Sequence, residues 1–160
     1  MNTNRRVWIL SGVGVLMACA AGCSGLSVTL PGGFVIGFDV IGVTLTNTTD
    51  FYVVPLLYAD DDDDTFLDSN IVTDENYVDT GVLPPHSSVT ITLDCDRAGT
   101  LKSDHAIMEI PGGPDVESDN APKITAEDDF DCGDAIEFIF IDTGREFFTR
   151  VEVNGRVVED

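Results

Sequence analysis

The chain has 160 residues, 43% of them hydrophobic and 8% aromatic, which is enough for one hydrophobic core and too little for two. Its charge is strongly acidic, because 29 Asp and Glu stand against 8 Lys and Arg and give a formal net charge of -21 at pH 7. Such a surface repels phosphate backbones and anionic lipid headgroups, which excludes nucleic-acid binding and membrane docking through a basic patch. It attracts cations and cationic partners instead.

The N-terminal segment differs from the rest of the chain in charge and hydropathy. Arg5 and Arg6 are its charged residues, and a largely apolar run follows over residues 7–22. This run is shorter than the roughly 20 residues that a bilayer-spanning helix needs. A basic start, a short apolar run and small residues at its end are typical of a secretory signal peptide. We therefore predict that residues 1–22 are cleaved during export.

The end of the run, Ala20-Ala21-Gly22-Cys23, resembles the lipobox of bacterial lipoproteins, in which two small residues precede a cysteine. It departs from that pattern at Ala20, where the usual residue is leucine. The resemblance implies that Cys23 becomes the first residue of the mature protein and carries a diacylglyceryl group. It further implies an acylated amino terminus, for example with palmitate, and a lipid anchor in the bacterial cell envelope.

Two alternatives remain open for this segment. Leu16-Met17-Ala18-Cys19 is a competing lipobox that has the preferred leucine, but Met17 is an awkward neighbour of the small residue. Cys23 is favoured over Cys19 because it follows a longer apolar run. The other alternative is an ordinary cleaved signal peptide with incidental cysteines. The Arg5-Arg6 pair leaves the export route open, and the two cysteines have no neighbouring ligands that would predict a metal site.

The remainder of the chain predicts an all-β protein. Apolar residues recur with a period of two or in runs of strand length, and they are rich in Val, Ile, Thr and Phe. Turn signals containing Pro, Gly or Asn separate these runs, and Asn154-Gly155 is a strong hairpin signal. The predicted strands cover residues 34–38, 40–47, 51–59, 88–94, 106–110, 135–142 and 146–154, with a short one at 156–158.

About seven strands in one domain predict an immunoglobulin-like two-sheet β-sandwich over residues 34–160. The prediction concerns architecture only, because Trp8 is the single tryptophan and the Cys…Trp…Cys pattern of antibody domains is absent. Residues 23–33 are small and glycine-rich, and we predict that they form the lipidated N-terminus and a short tether.

Cys95 and Cys132 are the cysteines that remain if Cys23 carries lipid. An even pair in an exported protein predicts a disulfide, because compartments outside the cytoplasm are oxidising. Strand parity places the two thiols on the core-facing side, together with Leu93 in one strand and Ile136 in the other. Closing this long loop would add on the order of 4 kcal/mol of stability. Two free buried thiols are the alternative.

Two long acidic loops, residues 60–79 and 115–134, are where function would sit on a sandwich. Ca²⁺ takes oxygen ligands, and paired loops could supply them. The EF-hand pattern fails, because Thr65 stands where the turn glycine belongs and Ile71 where the bidentate glutamate belongs. A solvated, self-repelling acidic loop is the alternative. The candidate Ca²⁺ ligands are Asp60, Asp62, Asp64, Asp128, Asp129 and Asp131.

Asp-Thr-Gly occurs twice, at residues 79–81 and 142–144, and resembles the catalytic triplet of aspartic proteases. Val82 and Arg145 follow the two triplets, where that family has Ala or Ser. We therefore predict that both triplets form turns, the second one closing a hairpin.

His86 and His105 are predicted to be surface residues. Ser87 and Ser88 neighbour His86, but neighbouring residues of a strand point to opposite faces and cannot form a working dyad. His105 could share a strand face with Glu109, although zinc would need a third ligand that the sequence does not provide. The sequence therefore predicts no catalytic residues.

These observations predict a lipid-anchored protein of the bacterial cell envelope, whose domain lies outside the cytoplasm and has a non-catalytic binding or structural role. The predicted partners are the membrane, through the N-terminal lipid, and an envelope protein or polysaccharide. No nucleic acid and no cofactor are predicted, with Ca²⁺ as the open exception. A calcium-dependent binding module that uses both acidic loops is the alternative, and a hydrolase is a remote one.

Overall fold

Alternating apolar residues of the chain are buried in a computed structural model that describes residues 39–61, 71–119, 121 and 123–158, together with the backbone at 28–29 and 35–36. The predicted signal segment, Cys23 and most of the predicted tether lie outside the described residues. Two of the candidate calcium ligands, Asp62 and Asp64, also lie outside them.

Twelve β-strands lie within the described residues, and six of them contain seven residues or more. The strands are β1 Val28–Thr29, β2 Val35–Ile36, β3 Val40–Asn47, β4 Tyr52–Asp60, β5 Tyr77–Val78, β6 Ser87–Asp94, β7 Thr100–Glu109, β8 Val116–Glu117, β9 Ile124–Thr125, β10 Ala135–Asp142, β11 Phe147–Val153 and β12 Arg156–Val157.

The long strands form two open sheets, which confirms the predicted all-β two-sheet sandwich. Sheet 1 has the strand order β12-β11-β10-β3-β6. Sheet 2 has the order β5-β4-β7-β8, and β9 also pairs with β7. The short strands β1 and β2 pair with each other. The two large sheets pack face to face because each carries apolar side chains on its inner side.

The chain changes sheet at each step from β3 to β4, to β6, to β7 and to β10. As a result β3 lies in the middle of sheet 1, antiparallel to β6 and parallel to β10. Parallel neighbours need a long crossover, and the strands of sheet 2 provide it.

The core follows the strand period of two. In β3 the burial alternates along the strand, so that Ile41, Val43 and Leu45 face inward with almost no exposure. Phe138 and Phe140 of β10 lie beside them in sheet 1, opposite the inner residues of sheet 2. Residues from both sheets therefore form one hydrophobic cluster.

Strand β7 is longer than the predicted strand at 106–110. Its first half, residues 100–104, contains Lys102, Ser103 and Asp104, which look like a polar turn in the sequence. In the structure the first four residues of β7 are all buried, and Lys102 is only 2% exposed. Burial on both faces of a strand does not produce an alternating pattern, so this half of β7 has no period-two signal.

The two predicted acidic loops contain short strands. Residues 60–79 include the end of β4 and all of β5, which pairs with β4. Residues 115–134 include β8 and β9, which both pair with β7. Two-residue strands are too short to show a pattern in the sequence, and they form here because a long neighbouring strand offers them hydrogen bonds.

The turn between β3 and β4 carries the chain from sheet 1 to sheet 2, and Asn47 organises it. The Asn47 side chain is 1% exposed. Its Nδ2 donates to the carbonyl oxygens of Phe51 (2.8 Å), Leu83 (3.1 Å) and Pro84 (2.9 Å). Its Oδ1 accepts from the backbone N–H of Thr49 at 2.9 Å. One amide thus ties the sheet crossing to the segment that precedes β6.

Replacing Asn47 by alanine should lower the free energy of unfolding by about 3 kcal/mol, because it removes four hydrogen bonds at a buried position, among them the acceptor of the buried Thr49 N–H. Urea unfolding followed by far-UV circular dichroism measures the loss. Thr44→Val is the control, since it removes a hydroxyl contact at an exposed position (Thr44 Oγ1 to Thr90 Oγ1, 3.0 Å) and should change stability by less than about 0.5 kcal/mol. Equal losses in the two variants would contradict this role of Asn47.

Candidate functional site

Cys95 and Cys132 form a disulfide with a Cα–Cα distance of 5.7 Å, which confirms the predicted pair. Cys95 begins a single 3-10 turn directly after β6, and Cys132 precedes β10. Because β3 lies between β6 and β10, the disulfide joins two strands that are not neighbours. It therefore closes the end of sheet 1 at which β3 begins.

The prediction that both thiols face the core is wrong for Cys132. Cys95 is half-buried, whereas Cys132 is exposed. Parity counted back from Ile136 fails because β10 begins only at Ala135 and Gly133 has a φ of +96°. This left-handed residue interrupts the alternation of side chains and turns Cys132 outward.

Two of the described candidate calcium ligands, Asp60 and Asp129, accept hydrogen bonds within their own loops. Asp60 accepts from Asn76 Nδ2 at 2.9 Å. Asp129 Oδ2 accepts from the backbone N–H of Thr125 at 2.9 Å and from its hydroxyl at 3.3 Å. These carboxylates thus stabilise the loops that carry them.

The register of sheet 2 brings the two acidic loops to one end of that sheet. Asp60 is paired with Thr100 of β7, and Thr100 is paired with Thr125 of β9. Asp60 and Thr125 are therefore two strand spacings apart, roughly 10 Å. Among the residues that the structure describes, no three His, Cys, Asp or Glu are grouped so that they could hold a metal ion. Calcium binding stays a prediction, because Asp62 and Asp64 are outside the described residues.

Both Asp-Thr-Gly triplets are turns, as predicted. Asp79 Oδ1 accepts from the N–H of Gly81 at 3.1 Å, and Asp142 Oδ1 accepts from that of Gly144 at 2.7 Å. The two glycines have φ values of +68° and +75°, which an L side chain rarely adopts. Asp142 ends β10 in sheet 1, whereas Asp79 directly follows β5 of sheet 2. Each aspartate folds its own turn by a side-chain to backbone hydrogen bond.

The two histidines are exposed, as predicted, and both hold backbone elements in place. His86 Nε2 lies 2.9 Å from Asp50 Oδ1, which links the turn before β6 to the turn before β4. His105 lies inside β7, and not before a strand as the sequence suggested. Its Nδ1–H donates to the carbonyl oxygen of Ser118 at 2.8 Å. The Ser118 hydroxyl in turn accepts from the N–H of Ala106 at 2.9 Å.

A pair of tyrosines on the outer side of sheet 2 is a feature that the sequence analysis missed. Tyr58 of β4 is paired with Tyr77 of β5, and their rings meet edge to face with centroids 5.8 Å apart. Burial, followed by the negative charge of Asp104, raises the pKa of Tyr58 above its ordinary value of 10.0. The two tyrosines lie on different strands, so no local sequence pattern indicates that they pair.

No protein-family model matches the chain, and no curated protein and no solved structure matches it either.

None of the helices within the described residues is long and apolar enough to cross a membrane.

Removing the disulfide with Cys95→Ala and Cys132→Ala together should lower the free energy of unfolding by on the order of 4 kcal/mol, because the unfolded chain gains freedom. The measurement is urea unfolding with and without a reductant. The reductant should destabilise the wild-type chain and leave the double variant unchanged. A wild-type unfolding midpoint that is the same with and without the reductant would contradict the prediction.

The raised pKa of Tyr58 predicts that this tyrosine ionises at a higher pH than an unperturbed tyrosine. A raised pKa means that the folded state holds the proton more tightly, so its stabilising effect is complete below pH 10 and is lost as pH rises through the folded value. Subtracting the tyrosinate absorbance of Tyr58→Phe from that of the wild type isolates this group, and we expect its midpoint above 10.0. The same difference in strong denaturant is the control and should return to about 10. Identical midpoints in both conditions would refute the assignment.

Proposed function

We propose that this protein is a bacterial lipoprotein, anchored in the cell envelope through Cys23, whose β-sandwich domain binds a partner or has a structural role without catalysis. The observation that carries the proposal is Ala20-Ala21-Gly22-Cys23 at the end of an apolar run that begins after Arg5-Arg6. A basic start and a short apolar run direct a chain to export, and a cysteine after small residues is the acceptor of lipid in the family that this segment resembles.

The disulfide supports export. Bonds of this kind form and persist in oxidising compartments and are rare in the cytoplasm. Cys95 and Cys132 close the end of a sheet whose central strand is β3, so the bond contributes to a fold that would have to be stable outside the cell.

A non-catalytic role is supported by the bonds that the candidate catalytic side chains make. Asp79 and Asp142 each accept a backbone N–H two residues further on. His105 donates to the Ser118 carbonyl oxygen. A general base needs a nucleophile or a water within hydrogen-bond reach, whereas these groups hold turns and strands together.

The charge of the chain is suited to a domain tethered beside a membrane. Anionic lipid headgroups repel a chain with a net charge of -21. The lipid would hold the domain at the membrane, while the negative charge of the domain would keep the domain away from the headgroups. The same charge favours an envelope protein with a cationic surface, or a polysaccharide carrying bound cations, as the partner.

The lipid anchor is tested by mass spectrometry of the mature N-terminal peptide from membranes. We expect that peptide to begin at Cys23 and to carry a diacylglyceryl group and an amide-linked acyl chain. Cys23→Ser should abolish the lipid mass and release the protein from the detergent phase of a phase separation. Cys19→Ser is the matched control and should leave lipid and partition unchanged.

Two results would contradict the proposal. Loss of lipid in Cys19→Ser but not in Cys23→Ser would move the anchor to Cys19. An unmodified N-terminal peptide would indicate an ordinary exported protein and not a lipoprotein.

A further inference from the structure

Strand β6, Ser87–Asp94, lies at an edge of sheet 1, and within the described residues β3 is its one hydrogen-bonded neighbour. The N–H of Cys95 donates to the carbonyl oxygen of Asp39 at 3.0 Å, just beyond the end of the β3–β6 pairing. In an antiparallel pair, successive residues direct their N–H and C=O groups alternately to the two sides. Leu93, Ile91 and Val89 therefore bond to β3.

It follows that the intervening residues direct their N–H and C=O groups to the open edge. The hydroxyl groups of Thr90 and Thr44 are 3.0 Å apart, which agrees with this alternation. Side chains approach most closely in a cross-strand pair that shares no backbone hydrogen bonds. The four residues with backbone groups directed to the edge are Ser88, Thr90, Thr92 and Asp94.

This edge lacks the features by which proteins prevent strand addition. Edge strands are commonly protected by Pro, by Lys, by a bulge or by a very short length. β6 pairs with β3 over eight residues without a register shift, and its sequence SSVTITLD contains no Pro and no basic residue. Because β3 is the one strand paired with β6 in the part of the chain that the structure describes, the outward-directed backbone groups of β6 are available there to another strand.

The edge also carries little charge for a very acidic protein, because Asp94 is the one charged residue of β6. Residues 80–93 contain no Asp, Glu, Lys or Arg, although the whole chain has a net charge of -21. The neighbouring strand β3 has no charged residue either. A second acidic molecule can therefore approach β6 without a like charge directly opposite, which is not true of most of this chain.

The inner side of β6 is incompletely covered. Val89, Ile91 and Leu93 are each half-buried, whereas their cross-strand partners in β3 are almost fully buried. Sheet 2 ends beside them in β5, which is two residues long, and leaves a groove of about 280 Å³ that includes Leu93. An added strand would cover this apolar stripe.

We propose that a second copy of this chain adds its own β6 to this edge, antiparallel and related by a two-fold axis at Ile91. In this register Thr90 of each copy lies opposite Thr92 of the other, and Asp94 lies opposite Ser88. All four outward-directed residues are paired, and no two carboxylates face each other. On the inner side Ile91 meets its own equivalent, and Val89 meets Leu93.

The same strand fits a charged partner less well. A cationic peptide would find one carboxylate on β6, that of Asp94 at its end. A copy of β6 supplies instead a self-complementary strand whose one charged residue is at its end, and a two-fold interface uses the same patch twice. The paired region is small compared with the roughly 1,200 Å² or more of stable interfaces, so the dimer is weak.

The net charge sets the salt dependence of this dimer. Two chains of -21 repel each other over a distance that salt shortens. Association through a strand that forms no ion pairs therefore strengthens as ionic strength rises, whereas an interface held by ion pairs would weaken.

The first test compares Thr90→Pro with Thr90→Val in sedimentation equilibrium of the full chain in detergent, at low and at high salt. Proline removes a donor that is directed to the open edge and leaves the β3 pairing intact. We expect Thr90→Pro to weaken association about tenfold or more and Thr90→Val to retain it. A monomer at every concentration, equal association of both variants, or association that falls with added salt would overturn the proposal.

The second test does not depend on the stability of the proline variant. Ile91→Cys places two thiols opposite each other across the proposed axis, at a Cα separation near 4.5 Å for a pair without mutual hydrogen bonds. Val89→Cys is the matched control, since its opposite residue is Leu93. We expect mild oxidation of membranes to yield a peptide linked through residue 91 of both copies only in Ile91→Cys. No such peptide, or equal linkage through residue 89 in the control, would overturn the register and the proposal.

Discussion

The buried amide of Asn47 is the contact on which the arrangement of the two sheets depends. The chain leaves sheet 1 at Asn47 and enters sheet 2 five residues later, at Tyr52. A tight crossing exposes backbone carbonyl groups to a dry interior, where an unpaired group costs roughly 1 to 3 kcal/mol. Asn47 donates to three of them, each of which also accepts from a second donor, and two belong to the segment that leads into β6. One side chain therefore links the entry into β4 to the segment that leads into β6.

Strands with an alternating pattern or a continuous apolar run were predictable from the sequence, and a buried segment with polar residues was not. The predicted bounds of β3 match the structure because its buried residues alternate along the strand. Those of β10 match because it is an apolar run of strand length, although Phe138, Ile139 and Phe140 are all buried. The first half of β7 was missed because Lys102 is buried in a segment that reads as polar. Its burial is caused by neighbours far away in the sequence, which no local pattern contains.

The candidate sites, too, were predictable only where the sequence itself carries the signal. The pairing of Cys95 with Cys132 could be predicted by elimination, because few cysteines were left to bridge. The exposure of Cys132 could not, since it depends on the left-handed conformation of Gly133. The turn role of Asp79 and Asp142 is local and was predictable from the glycine two residues later. The meeting of both acidic loops at one end of sheet 2 required the register of three strands, which the sequence alone does not contain.

Under the proposed anchor at Cys23, the disulfide has a mechanical consequence for the domain. The chain enters the described sandwich at Asp39 and continues directly into β3, the central strand of sheet 1. Tension applied from that side pulls along β3, so the hydrogen bonds to β6 and β10 are loaded together in shear and do not open one after another. Cys95 and Cys132 join these two flanking strands at the end where the pull enters. The covalent loop keeps them from spreading, so the strand that bears the load stays clamped on both sides.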